Sequence, residues 1–200
     1  MYRTVLSTRS KTVIVLRMTN RFMSLLDTGA AGSVRSGYVL LSNSMASWLA
    51  AFMTTAINLA LPYIRDDFDL GAVSIGWLSL GYMLTAAMFI VTFVQVGDRV
   101  GRRLVFLGGL TVFAISSIIM AFADSYLPLL ALRLCHGLGA SMLFSTSMAM
   151  VTSAYPANRR GLAMGVSVGA AYLGMTMGPV VGGLMVDSFG WRSIFMLSGA

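Results

Sequence analysis

The sequence contains no glutamate, a single cysteine (Cys135) and a single histidine (His136). One cysteine excludes a disulfide framework, and one cysteine with one histidine excludes a Cys/His metal cluster. The seven acidic residues are all aspartates, which leaves few candidates for carboxylate chemistry. No Ser/His/Asp spacing and no phosphate-binding loop is present, so the chain does not read as an enzyme. Charge of either sign is scarce. Only 10% of the 200 residues are charged, against about 25% in soluble domains.

What is abundant is apolar side chain, 57% of the residues, with a mean hydropathy of +0.81. Folding this composition in water would leave too little polar surface to face the solvent, so an all-α integral membrane protein is expected. The net charge of +7 invites a nucleic-acid partner. The basic residues argue against one, because they are spread over short segments between apolar runs and form no groove or stripe. The partners expected are membrane lipid and a small-molecule substrate.

A helix needs about 20 apolar residues to cross the hydrocarbon core. Five such runs are present, at roughly 38–64, 75–96, 104–123, 126–153 and 162–186, and a sixth starts at 191–200. They must be helices, since an open strand edge in lipid leaves backbone groups without partners. Two domains follow: a basic, disordered tail over 1–37 and a transmembrane bundle over 38–200. Within the tail, "TVIVLRM" is too short for a signal-peptide core and is interrupted by Arg17. Met18 or Met23 is a plausible alternative start; Met45 would remove part of the first span.

Net charge alternates along the connections. The tail is basic, "RDDFD" is acidic, "GDRVGRR" is basic, the next connection holds only Asp124, and Arg159 and Arg160 make the following one basic. The last connection, Asp187 to Arg192, is neutral. Positive segments remain in the cytoplasm. The expected arrangement is multi-pass in the cell membrane with a cytoplasmic N-terminus.

Three constellations carry more than topology. In "VQVGDRVGRR", Gly101 permits a tight turn with positive φ. Asp98 ends one span, where it can accept hydrogen bonds from a helix N-terminus, and its expected partner lies in a helix outside these five spans. A charged group here can latch two helical bundles in one conformation and release them in another. In "LLALRLCHGLGAS", Arg133 lies inside the fourth span, at a cost of about 2.5–3.5 kcal/mol on insertion scales. It either faces a polar interior or snorkels toward the interface near Asp124. His136 can titrate near neutral pH, and is either a proton relay or a polar packing residue. In the fifth span, Gly161, Gly165 and Gly169 repeat every four residues, as do Gly174, Gly178 and Gly182. This spacing puts each set on one face, where small residues admit a close helix. Pro179 removes a backbone donor and can kink the helix.

On these residues the chain resembles the major facilitator superfamily. The family's loop between helices two and three reads G-x-x-x-D-R-x-G-R-R, matched by Asp98, Arg99, Gly101, Arg102 and Arg103, with Val94 in place of the leading glycine. Its fourth helix commonly reads R-x-x-Q-G-x-G, an arginine associated with proton coupling. Arg133, Gly137 and Gly139 match, and His136 replaces the glutamine. The glycine-proline signature of the family's drug–proton antiporters is matched at Gly165, Gly174, Gly178, Pro179, Gly182 and Gly183. Asn58, Ala60, Leu61 and Pro62 match the N-x-A-L-P that closes helix one in drug-exporting branches, and "FGWRSIF" resembles the opening of helix six. Many fourteen-helix relatives carry an aspartate where Met53 stands, and no acid lies inside the five spans as drawn.

The resemblance implies the N-terminal bundle of a transporter that exports drugs or other small amphipathic molecules by alternating access. The proton gradient is the driving force, and no cofactor is implied. The implied cavity wall includes Asn58, Gln95, Arg133 and His136, with Phe52, Tyr82 and Tyr172. Sixteen methionines suit a pliable binding surface, although lipid-facing filler accounts better for most of them. Two alternatives stand beside export. One is a truncated or split product that needs a second chain or a missing half. The other is a facilitator for another solute class, such as a sugar or organic anion.

Overall fold

In the computed structural model, residues 30–199 are described, and side chains from Ser36 onward. Six helices account for nearly all of them: α1 (Ala30–Phe68), α2 (Ala72–Val100), α3 (Arg102–Met120), α4 (Tyr126–Ala154), α5 (Ala157–Phe189) and α6 (Arg192–Gly199). The first five are long and apolar enough to cross a membrane. Even α3, with 19 residues, spans about 28 Å at 1.5 Å per residue. The fold is the all-α membrane bundle expected.

Most of the anticipated tail lies outside the described residues, but residues 30–37 already belong to α1. α1 also runs on through Arg65–Phe68, part of the expected acidic connection. The helix stops at Asp69, whose φ of 50° is left-handed. The Leu70 amide then donates to the Arg65 carbonyl at 3.0 Å, which closes the last turn. α5 likewise extends beyond the apolar run at both ends and passes through Pro179 without a break in the helix.

The helices pack as two tight groups, α1 with α5 and α4 with α2 and α3, joined where α1 meets α4. α1 lies along α5, while α4 lies against both α2 and α3, and α6 folds back on α3. α1, α3 and α4 are the most buried of the five spans, whereas α2 and α5 are the least. The core centres on Phe52, Met53, Ile57, Leu78, Phe113, Met120 and Phe195. Large apolar side chains such as Val73, Leu80, Met88, Leu173 and Leu184 point outward, as expected when the surrounding solvent is lipid rather than water.

The connections separate by charge. One end holds Arg99, Arg102, Arg103, Arg159 and Arg160, tied across helices by Arg102 to the Ala149 carbonyl and by Ser36 to the Ala154 carbonyl. The opposite end holds Asp66, Asp67, Asp69, Asp124 and Asp187, with Arg192 and Trp191 among them.

Candidate functional site

Close helix contact builds the interior site, and glycines permit it. A Cβ on Gly137 would lie 2.7 Å from the Tyr82 carbonyl oxygen of α2. One on Gly139 would lie 2.7 Å from the Phe113 amide of α3. Two glycines two residues apart therefore admit one neighbouring helix each. The result brings the rings of Tyr82 and Phe113 onto His136, with centroid separations of 5.5 and 3.8 Å.

Arg133, 2% exposed, lies in this enclosure. Its Nε donates to the Leu78 carbonyl oxygen of α2 at 3.2 Å, and its Nη1 donates to His136 Nδ1 at 3.1 Å. The guanidinium stacks over the Tyr82 ring, 4.7 Å from the centroid, where the ring face attracts a cation. Among the described residues no carboxylate pairs with it; the ion pairs present join Arg102 and Arg192 to aspartates. The arginine is turned into the bundle, between α2 and α4, and does not extend toward Asp124. A buried cation compensated only by dipoles and a π face is responsive to any charge that approaches it.

The other expected cavity residues are placed differently. Asn58 is exposed and accepts at Oδ1 from Ser79 Oγ at 3.4 Å, one residue along α2 from the carbonyl that holds Arg133. Gln95 is exposed and lies 17 residues further along α2 than Leu78, about 25 Å away at helical rise. The structure thus brings Arg133, His136 and Tyr82 together, with Asn58 at their level, and leaves Gln95 apart. Phe52 does not line a cavity: it is fully buried and stacks on Trp48 at the α1–α5 contact. Tyr172 is exposed on α5. An open groove of about 980 Å³ lies at the arginine-rich end, lined by Tyr38, Ser42, Arg102, Arg103 and Phe106 among others, and none of the expected cavity residues borders it.

At that end, Gly101 has φ +108° and separates α2 from α3 with no longer connection. Asp98, in the last turn of α2, is held by Arg102 in the first turn of α3 through Nη2 at 3.0 Å and Nε at 3.1 Å. The aspartate thus takes an arginine side chain from the helix that follows it. Arg99 and Arg103 are exposed beside this pair. Tyr155, between α4 and α5, donates to the Ser36 carbonyl at 3.2 Å, and burial raises its phenol above the usual range, partly offset by Arg159.

The two glycine rows of α5 have different fates. Gly174, Gly178 and Gly182 face α1 so closely that a Cβ would meet the Trp48 carbonyl, the Thr55 side chain and, at 2.8 Å, Ala56 Cβ. Gly183 is looser, with Leu59 at 3.5 Å. Gly161, Gly165 and Gly169 have nothing within 4 Å among the described residues. At 100° per residue the rows point about 140° apart, so one helix cannot cover both.

The opposite end carries contacts that the sequence reading missed. Trp191 Nε1 donates to Asp67 Oδ2 at 2.6 Å, and Arg192 lies 3.7 Å from the same carboxylate and 3.9 Å from Asp124. Arg192 also donates to the Ala123 carbonyl and stacks on Trp191. Tyr63 donates to Asp187 at 2.7 Å. The only sequence signal was the tryptophan-arginine pair after Gly190, because net charge there is zero.

Fold and interior together define a polytopic helical membrane bundle with a buried arginine and a charged inter-helix turn. Residues 44–200 match the Major Facilitator Superfamily, and the chain belongs to that superfamily of transporters. It is 37% identical over 159 residues to the multidrug resistance protein Stp of Mycobacterium tuberculosis (strain CDC 1551 / Oshkosh), covering 77% of this chain and 30% of that protein. It is 32% identical over 154 residues to the riboflavin transporter RibZ of Clostridioides difficile (strain 630), covering 75% of this chain and 34% of that protein. The chain therefore spans about a third of the length of these relatives. A bacterial homolog of the human lysosomal transporter Spinster, in an inward-facing and occupied conformation, shares the fold with a TM-score of 0.73 at 21% identity, covering 82% of this chain and 41% of that one.

Proposed function

We propose that this chain forms the N-terminal bundle of a proton-coupled exporter of small amphipathic molecules. It would sit in the cell membrane with its arginine-rich end in the cytoplasm. The observation that carries the reading is the α1–α5 contact, where Gly174, Gly178 and Gly182 of the antiporter signature leave no room for a side chain against α1. Likeness to multidrug resistance and drug efflux proteins supports export. The coupling role falls to Arg133, a buried cation with no carboxylate beside it among the described residues. The Asp98–Arg102 turn serves as the cytoplasmic latch. Substrate would bind between this bundle and a second one, as in transporters built from repeats. That second bundle comes from a missing half or from another chain.

The test is ethidium efflux from cells that express the chain, with and without a protonophore, after membrane insertion has been confirmed. Protonophore-sensitive efflux is expected wherever a second bundle is available, and Arg133→Lys is expected to fold but lose it. A lysine ammonium cannot present the arginine fork to Leu78 and His136 together. Full coupled efflux in Arg133→Lys would refute the coupling role. The likeness to RibZ favours a second reading, a transporter of another solute. Flux of riboflavin without drug efflux would select it.

A further inference from the structure

His136 is the chain's only histidine and is completely buried. Its surroundings come from three helices. α4 contributes Arg133, α2 contributes Tyr82, and α3 contributes the Phe113 ring. Among the described residues, Arg133 is the one charged group that faces it, and Tyr82 the one other titratable group. Nδ1 lies 3.1 Å from Arg133 Nη1. A guanidinium donates and cannot accept, so Nδ1 must present its lone pair. The single proton of the neutral ring then sits on Nε2, which has no hydrogen-bond partner among the described residues. A proton on Nδ1 would set two donors against each other, and a ring protonated on both nitrogens would add a second cation, with no carboxylate among the described residues of the enclosure to offset it.

We propose that His136 is a neutral hydrogen-bond acceptor that fixes the plane of the Arg133 guanidinium, and that it does not carry protons. It is a positioning residue. Together with the Leu78 carbonyl it holds the fork across α2 and α4 at two points, while the Tyr82 face supports it from one side. This makes the histidine chemically equivalent to a glutamine, whose carbonyl oxygen accepts the same bond without titrating. The role in transport rests on the coupling reading of Arg133; the protonation state does not.

Nitrogen-15 spectra of the histidine-labelled chain in lipid bilayers test the state directly, since there is one ring to observe. The expected result is the Nε2–H tautomer alone from about pH 5 to about pH 8. An imidazolium signal appearing in that range would overturn the proposal. Arg133→Met is expected to remove the tautomer preference; an unchanged spectrum would show that Arg133 does not set it and would equally overturn the proposal. If that variant fails to fold, the wild-type spectrum decides. In transport, His136→Gln is expected to keep coupled flux with an unshifted pH profile. His136→Leu is expected to lose flux about tenfold, the scale of one hydrogen bond to a charged group. A pH profile displaced in His136→Gln would mean that the ring titrates. Absence of coupling in the wild type would refute the role of Arg133, while the tautomer would still decide that of His136.

Discussion

Asp98 and Arg102 are four residues apart yet belong to different helices, because Gly101 takes a φ of +108° between them. Their side chains are 54% and 43% exposed, and an exposed pair contributes only about 0–1 kcal/mol to stability. Stability alone does not account for a charged turn built with this geometry. Asp98→Asn is therefore expected to leave the thermal midpoint and membrane level nearly unchanged while abolishing transport in the assembled transporter. Wild-type flux in that variant would remove the latch role. The same contrast separates Arg102 from Arg133: one lies where water can screen it, the other is 2% exposed and depends on Leu78, His136 and Tyr82.

Helix α5 shows how one element carries two instructions. Gly174, Gly178 and Gly182 let the α1 backbone approach, which in lipid is a source of van der Waals attraction that no hydrophobic effect supplies. Gly161, Gly165 and Gly169 point elsewhere. Gly178→Ala must displace Thr55, and a Cβ there would also sit 3.0 Å from the Phe52 carbonyl. Overpacking of this kind destabilises by about 1–3 kcal/mol, so a lower thermal unfolding midpoint is expected. Gly165→Ala meets open space and replaces a poor helix former, so its stability should be equal or higher, by up to about 1 kcal/mol. A Gly165→Ala midpoint that falls as far as that of Gly178→Ala would contradict the assignment of the two faces. Loss of transport in Gly165→Ala with stability retained would identify a surface that meets the second row.

For the whole molecule, charge sorts the two ends and a clasp closes one of them. Asp67 joins Trp191 and Arg192, and Arg192 reaches on to Asp124, so three connections are held by one arginine, one indole and two carboxylates. The Trp191 bond is the stronger part, since a hydrogen bond to a charged acceptor outweighs ion pairs whose partners are solvent-exposed. Asp67→Ala is expected to speed hydrogen exchange about tenfold in the connections around residues 69–71, 121–125 and 190–191, with the Gly101 turn unaffected. Equal acceleration at both ends would mean global loosening, and no acceleration would mean that the clasp is idle. The sorting of charge matters for a different reason. It is the feature from which orientation in the membrane is inferred, and the fold carries it without any contact between the arginine-rich and aspartate-rich ends.

Composition determined that this is a membrane protein, and the unbroken apolar runs of about 20 residues determined that its spans are helices, which satisfy their backbone polar groups within each segment. Hydropathy located the five spans, and glycine spacing marked two faces of α5 able to admit a close helix, of which one is used. It did not locate the helix ends: α1 continues through "RDDF" because helix geometry, not apolarity, decides where a helix stops, and Asp69 supplies the left-handed residue that stops it. Sequence pattern brought Arg133 and His136 together, since residues three apart share a helix face. Only the tertiary structure decided that Leu78 and Tyr82 complete their enclosure, that Phe52 belongs to the core, that Gln95 lies about 25 Å along α2, and that one glycine row of α5 is covered while the other is not. These depend on which helices become neighbours. That is settled by packing between segments distant in sequence, and no local spacing encodes it.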